Sequence, residues 1–296
     1  MRLVDDGDPR GLDALAELYP TAKPARIVGV TGSPGTGKST LVDALIGAFR
    51  AKGERVGVIA VDPSSPRTQG AILGDRVRMQ GRALDNGVFV RSLASRGQLG
   101  GLSASATLTA SVLEAMGFGR ILLETVGVGQ AEVDIARVAD STLLVLAPGL
   151  GDDVQAMKAG IMEVADLFVV NKADREGAAE TLRDIEVMLR LFPRPESEWQ
   201  RPVLPTVATR SEGVEWLADS ILAHERFLES SGEAELRRAS RARLELETAL
   251  WRAVRSETVK KLGGEAELAR VGERVARRET DPVSEARKLL DRLRSE

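Results

Sequence analysis

A chain of 296 residues with 43% hydrophobic content can bury the core of one large domain and still carry an appendage. Its 41 basic and 44 acidic residues are interspersed and leave a formal net charge of −3, which argues against an electrostatic grip on nucleic acid or on an anionic membrane. Cysteine is absent, so a disulfide framework, a thiolate nucleophile and a thiolate metal site are excluded; no apolar run reads as a signal peptide or reaches the length of a membrane span, and a cytoplasmic location is expected.

Residues 1–24 read as a helical extension, with a short helix over 11–19 stopped by Pro20 and Pro24. A different rhythm begins at residue 25. Short apolar runs occupy 26–32, 55–62, 88–93, 120–127, 141–148, 167–174 and 203–209, and helix-length segments lie at 38–52, 103–117, 152–165 and 177–191. Near-continuous apolar strands separated by helices predict a mostly parallel α/β sheet covered on both faces. Functional residues then belong at the carboxyl ends of its strands. A helix over 212–228 closes this second segment, 25–230.

The third segment, 231–296, has no strand-like run. Leu244, Trp251, Val254 and Leu262 recur at near-helical spacing among charges, Gly263-Gly264 breaks the pattern, and Asp281-Pro282 starts another helix. One amphipathic arm cannot bury its own apolar residues, so a homodimer held by this arm is expected. His224 reads as a helix-surface residue, and Trp199, Trp216 and Trp251 read as packing residues, with Trp251 a candidate interface anchor.

The chemistry starts at "GSPGTGKS", Gly32–Ser39, which fits the phosphate-loop pattern G-x-x-x-x-G-K-[ST] without a mismatch. Gly32, Gly35 and Gly37 let the backbone curl so that its N–H groups face phosphate oxygens. Lys38 brings a cation to the β- and γ-phosphates, Ser39 brings a hydroxyl to Mg²⁺, and the helix that opens here brings its positive end. The expected phosphate contacts run through Gly32, Ser33, Pro34, Gly35, Thr36, Gly37, Lys38, Ser39 and Thr40.

"NKAD" ends the sixth apolar run. A carboxylate at Asp174 can accept both guanine N1–H and N2–H, a donor pair that adenine lacks. A buried Asp174 facing adenine would go unpaired at a cost of about 1–3 kcal/mol, so GTP is expected over ATP. Asn171 would tie this loop to the phosphate loop, and the Lys172 stem would lie over the base. Val207, Ala208 and Thr209 form the expected third base-contacting loop, with the Ala208 N–H as candidate donor to guanine O6.

"LLETVGVG" occupies the switch II position, with Glu124 where aspartate is usual and Gly127 placed to offer its N–H to the γ-phosphate. Val128 stands where a water-orienting glutamine would act and Gln130 is displaced, so slow unassisted hydrolysis is expected, accelerated by a partner or by a switch rearrangement. Asp62 ends the second strand and Asp75 lies in the polar loop after it. With Ser39 and Glu124 they make an oxygen-rich setting for Mg²⁺. Lys38, Glu124, Gly127 and Asp62 form the candidate catalytic set. Arg76 and Arg78 are weighed as charge stabilisers, but solvated surface arginines are the plainer reading.

Together, "VDPSS…GAILGDRVRM", "ETVGVGQAEVDI" and "NKAD" resemble the methylmalonyl-CoA mutase-associated GTPases of the MeaB/ArgK type, in the signal-recognition/MinD-like class of P-loop GTPases. The resemblance covers about 25–230 closely, and the helical tail fits that family's dimerisation arm. It implies a homodimeric G-protein chaperone whose client is adenosylcobalamin-dependent methylmalonyl-CoA mutase. GTP would gate cofactor loading by a cobalamin adenosyltransferase and protect or reactivate the mutase. Carried over, Lys38 binds phosphate, Ser39, Asp62, Asp75 and Glu124 surround Mg²⁺, and Asn171 and Asp174 read guanine. "GLGDDVQAMKAG", Gly149–Gly160, resembles the family's third switch, but carries Lys158-Ala159 where two lysines are common. The loop's polar groups Asp152, Asp153, Gln155 and Lys158 are candidates for client contact. Two rivals stay open. A metallochaperone GTPase would want Cys or His clusters, against no Cys and one His here. A small-molecule or transport-associated kinase would need an acceptor lid and a separate base.

Overall fold

The computed structural model describes residues 1–5, 8–63, 84–95, 101–125, 134–149, 161–191 and 193–295. Among the described residues seven strands, β1 (Arg26–Thr31), β2 (Val56–Pro63), β3 (Val88–Ser95), β4 (Arg120–Thr125), β5 (Ser141–Leu146), β6 (Leu167–Asn171) and β7 (Val203–Thr206), form a parallel sheet in the order β3-β2-β4-β1-β5-β6-β7. All seven expected strands are present. Every residue of β4, β5 and β6 is buried, and most of their positions are apolar; Arg120, Glu124, Thr125, Ser141, Thr142 and Asn171 are the buried polar exceptions. Alternate residues of β5 go to opposite faces: Leu143 and Val145 join a core with Leu41, Leu45, Ile46, Phe49 and Leu217, while Leu144 and Leu146 join one with Phe168, Val170 and Ile185. Truncating the fully buried Leu45 or Ile46 to alanine costs about 2–5 kcal/mol.

The helices are α1 (Arg2–Asp5), α2 (Pro9–Leu18), α3 (Lys38–Ala51), α4 (Gly101–Ala115), α5 (Ile161–Val164), α6 (Ala178–Leu191), α7 (Val214–Ser231), α8 (Glu233–Lys261), α9 (Glu265–Ala276) and α10 (Pro282–Ser295). Helix α2 starts earlier than expected because Asp8 accepts the Arg10 N–H at 2.9 Å and Pro9 fits the first helical position. The chain forms two compact units, Met1–Ala242 and Arg243–Glu296. The division falls inside the continuous helix α8, later than the compositional change at 231.

The start of α8 belongs to the first unit for an electrostatic reason. Asp140 precedes β5 and accepts the Ile27 N–H at 2.8 Å; Asp166 precedes β6 and accepts the Thr142 N–H at 2.9 Å. Both carboxylates are buried, at 2% and 3% exposure. Arg237 clamps Asp166 with two bonds of 3.0 and 3.1 Å, and Arg241 meets Asp140 at 3.1 Å. The Glu114 carboxyl is pushed up by burial, opposed by the Ala25 N–H that it accepts and by Arg241 at 3.8 Å.

His224 is not on the surface. Its ring is fully buried, with Nδ1 2.8 Å from Ser141 Oγ and Nε2 facing Asp166 Oδ1 at 3.5 Å. Burial drives its pKa from 6.5 down to about 4, and Asp166 offsets this only in part. The ring is therefore neutral at pH 7, which suits Nδ1 to accept from the Ser141 hydroxyl. Trp199 packs here as expected, 4.8 Å from the His224 ring and donating to Asp166 O at 2.9 Å. Trp216 does not pack: it lies off the buried stripe of α7 and is 57% exposed.

In the second unit, Gly263 and Gly264 adopt positive φ of 96° and 83° and end α8. Asp281 Oδ1 caps α10 by accepting the Val283 and Ser284 N–H groups at 3.0 and 2.8 Å. Arg274–Glu285 and Arg292–Glu267 contacts of 3.6 and 3.7 Å join α9 to α10. Leu246, Leu250, Trp251 and Val254 of α8 are exposed.

Candidate nucleotide-binding site

The loop Gly32–Gly37 connects the central strand β1 to α3. Gly32 has φ 137°, and a Cβ there would collide with the Val145 carbonyl; Gly37 has φ 90°, and a Cβ would meet Asn171 Nδ2 at 2.5 Å. Only glycine fits either position. Gly37 is the N-cap of α3 and offers no side-chain bond to it, so the first-turn N–H groups at Lys38, Ser39 and Thr40 open toward the loop. That is the electrostatic arrangement for an anion. Ser33, Pro34 and Gly35 form the outer curve, and Thr36 Oγ1 donates to Ser33 O at 2.9 Å. Lys38, only 6% exposed, donates Nζ to Gly32 O at 2.6 Å and to Ser33 O at 2.9 Å.

Ser39 Oγ donates to Glu124 Oε1 at 2.6 Å. Glu124 is 5% exposed near the end of β4, in register with Val30 of β1 and Ala60 of β2. A hydroxyl and a carboxylate side by side at a helix N-terminus are hard oxygen donors of the kind Mg²⁺ takes together with phosphate and water, so these residues fit that ion. The backbone of Asp62 lies near the end of β2, the strand beside β4, in register with Ala94. Asp75 and Gly127 lie outside the described residues, as do Arg76, Arg78, Val128, Gln130, Asp152, Asp153, Gln155, Lys158 and Ala159.

Asn171, the last residue of β6, joins three loops. Its Nδ2 donates to Thr36 O at 2.9 Å, and its Oδ1 accepts Thr206 Oγ1 at 3.2 Å and Ala208 N–H at 3.1 Å. The Ala208 N–H, expected to be aimed at a base oxygen, is thus directed at Asn171. Lys172 takes a left-handed φ of 58° and reaches back to Gly35 O at 2.5 Å. Val207 pairs with Glu212 in an antiparallel bridge, with N–O distances of 3.0 and 3.3 Å, and Thr209 sits in the 3₁₀ turn Ala208–Arg210 that the bridge encloses. Asp174, 39% exposed, accepts from Arg210 Nη1 at 3.4 Å. Sequence reasoning missed Arg210 and Thr206; a polar residue in a turn gives no sign of its partner. The structure brings the phosphate loop, Glu124, Asn171, Lys172 and the 207–209 loop to the carboxyl edge of the sheet.

Asn171 thus ties the phosphate loop to the loop after β7, next to the loop that carries Asp174. The family model described as methylmalonyl Co-A mutase-associated GTPase MeaB matches residues 1–265. A putative GTPase of Pyrococcus abyssi is 46% identical, over 98% of this chain and 90% of its own. The GTPase ArgK of Escherichia coli is 39% identical, over 78% of this chain and 72% of its own. A crystal structure of a LAO/AO transport system kinase is 27% identical and superposes with a TM-score of 0.65, over 95% of this chain and 85% of that one. With its sheet order, its phosphate loop and a match along most of its length, the chain belongs to the methylmalonyl Co-A mutase-associated GTPase (MeaB) family.

Proposed function

We propose that this chain is a Mg²⁺-dependent, guanine-specific switch that, as a homodimer, serves adenosylcobalamin-dependent methylmalonyl-CoA mutase. In this reading it gates cofactor loading by an adenosyltransferase and protects or reactivates the mutase. Family membership supports the client. The observation that carries the nucleotide reading is Asn171, whose amide holds the phosphate loop at Thr36 and the base loop at Ala208 in one unit.

Lys38 would exchange the Gly32 and Ser33 carbonyls for phosphate oxygens, gaining an ion pair in place of bonds to neutral acceptors. Ser39 and Glu124, with Asp62 and Asp75, would hold Mg²⁺, which neutralises charge on the β- and γ-phosphate oxygens. Asp174 would accept the N1–H and N2–H of guanine, with the Lys172 stem over the ring and residues 207–209 along the base edge. Gly127 would donate its N–H to the γ-phosphate. Val128, not a glutamine, directly follows it, so turnover waits on the client.

Asp174→Asn exchanges an acceptor for an amide and should move preference from GDP to XDP, whose C2 oxygen can receive the new N–H. Calorimetry with both nucleotides checks it, and an unchanged preference removes the base-reading argument. Single-turnover GTP hydrolysis with and without the mutase checks the switch. A rate unaffected by the mutase, or unassisted turnover on the order of 10 per second, counts against it.

A further inference from the structure

We propose that Arg210 competes with the guanine base for Asp174, and that Glu212 sets how strongly it competes. The claim rests on the guanine reading above and names a further specificity-determining pair within that site.

Arg210 is the last residue of the 3₁₀ turn Ala208–Arg210. Its Nη1 lies 3.4 Å from Asp174 Oδ2, while Nε and Nη2 bind Glu212 Oε1 and Oε2 at 2.6 and 3.1 Å. One guanidinium therefore spans the base-reading carboxylate and a second one. The backbone fixes this relation. The Val207–Glu212 bridge closes the turn, Ser211 inside it takes a left-handed φ of 56°, and Ala173 N–H donates to Thr206 O at 3.0 Å, docking the Asp174 loop beside β7.

The chemistry makes the contact a competition. The N1–H, C2 and N2–H₂ edge of guanine is itself a guanidine fragment, a planar fork of N–H donors. An arginine guanidinium offers the same fork, with a full positive charge. Both address a carboxylate through its oxygens, so Arg210 and the base draw on the same Asp174 Oδ2 and each weakens the other's bond to it. Glu212 binds the same guanidinium through two better bonds, so it can keep Arg210 when the base takes Asp174. The Arg210 bond holds the Glu212 carboxyl below its usual range, so Glu212 stays an anion beside Arg210. Arg210, Asp174 and Glu212 are 52%, 39% and 57% exposed, so each pairing is a solvated one and the effect is modest, about two- to fivefold in affinity.

The test is calorimetry of GDP and ADP binding by the full chain, with Arg210→Ala and Glu212→Gln. Arg210→Ala should tighten GDP about two- to fivefold, and Glu212→Gln should weaken it by a similar factor, with ADP unmoved by either. Adding Arg210→Ala to Asp174→Asn should leave XDP affinity unchanged, because a neutral amide does not hold the guanidinium; a general loosening of the loop would change it. Arg210→Gln is the second variant if Arg210→Ala folds poorly by circular dichroism. GDP binding that is unchanged or weaker in both Arg210 variants, while the wild type still prefers GDP over ADP, overturns the proposal and leaves the guanine reading standing. Equal wild-type affinity for GDP and ADP removes both.

Discussion

The single histidine of the chain makes its burial measurable without ambiguity. Folding moves the His224 pKa from 6.5 to about 4, with desolvation the leading cause. The separation is about 2.5 pH units, and at 1.36 kcal/mol for each the full linkage is about 3 kcal/mol. Between pH 6.5 and 4 the unfolded chain binds a proton that the folded chain refuses. Stability from this group is therefore complete above pH 6.5 and falls as pH drops toward 4. Between pH 7 and pH 5 alone the loss is about 2 kcal/mol. One ring resonance followed by proton NMR reports the folded pKa directly, and urea midpoints at several pH values report the linkage. His224→Gln keeps a polar side chain without the titration and should flatten that part of the pH profile. A folded-state resonance titrating near 6.5, or parallel wild-type and variant profiles, would refute the reasoning.

Glu124→Ala should slow GTP hydrolysis more than it weakens GDP binding, since Glu124 faces Ser39 at the expected ion position; equal losses in single-turnover rate and calorimetric affinity would contradict that role. Arg241→Ala strips a buried cation from Asp140 and Glu114 and should cost about 3–5 kcal/mol in urea unfolding. A chain ended after Ala242 keeps both arginine clamps; it should bind GDP and be monomeric by light scattering, and a dimer there would sink the idea of an arm-held homodimer.

The sheet was legible because parallel strands buried on both faces leave a continuous apolar signature. The strand ends were less so. Three of the runs were expected to reach 148, 174 and 209, whereas the ladders stop at Leu146, Asn171 and Thr206. Residues such as Lys172 and Ala208 lie past the ladder and serve loops, and apolarity does not mark that exit. His224 was misread by its identity, although its position was informative. Leu217, Ile221, His224 and Leu228 lie at helical spacing on one buried face, and Trp216 lies beside it. The phosphate loop could be read from its pattern, because Gly32 and Gly37 each answer a steric demand. Arg237 and Arg241 could not, because a charged stretch looks the same whether it is solvated or clamped to carboxylates far earlier in the chain. The helix-long α8 was visible in the tail's periodicity, but where it leaves the first unit depends on Asp140 and Asp166.

Those two clamps bear on how the protein is made. Synthesis runs from the amino terminus, and the last strand is complete at Thr206. Asp140 and Asp166 must still wait for Arg241 and Arg237, the farther of them 35 residues on, from 206 to 241. At ~5–20 residues per second the nascent sheet spends roughly 2–7 s with all its strands translated and two interior carboxylates lacking their cations. During that interval the cheapest remedy is to keep the β1–β5–β6 edge open to water or to protonate. The first unit therefore closes late in synthesis, once Arg241 is available, and a ribosome stalled before Arg237 would display a protease-sensitive sheet edge that one stalled well beyond Arg241 would not.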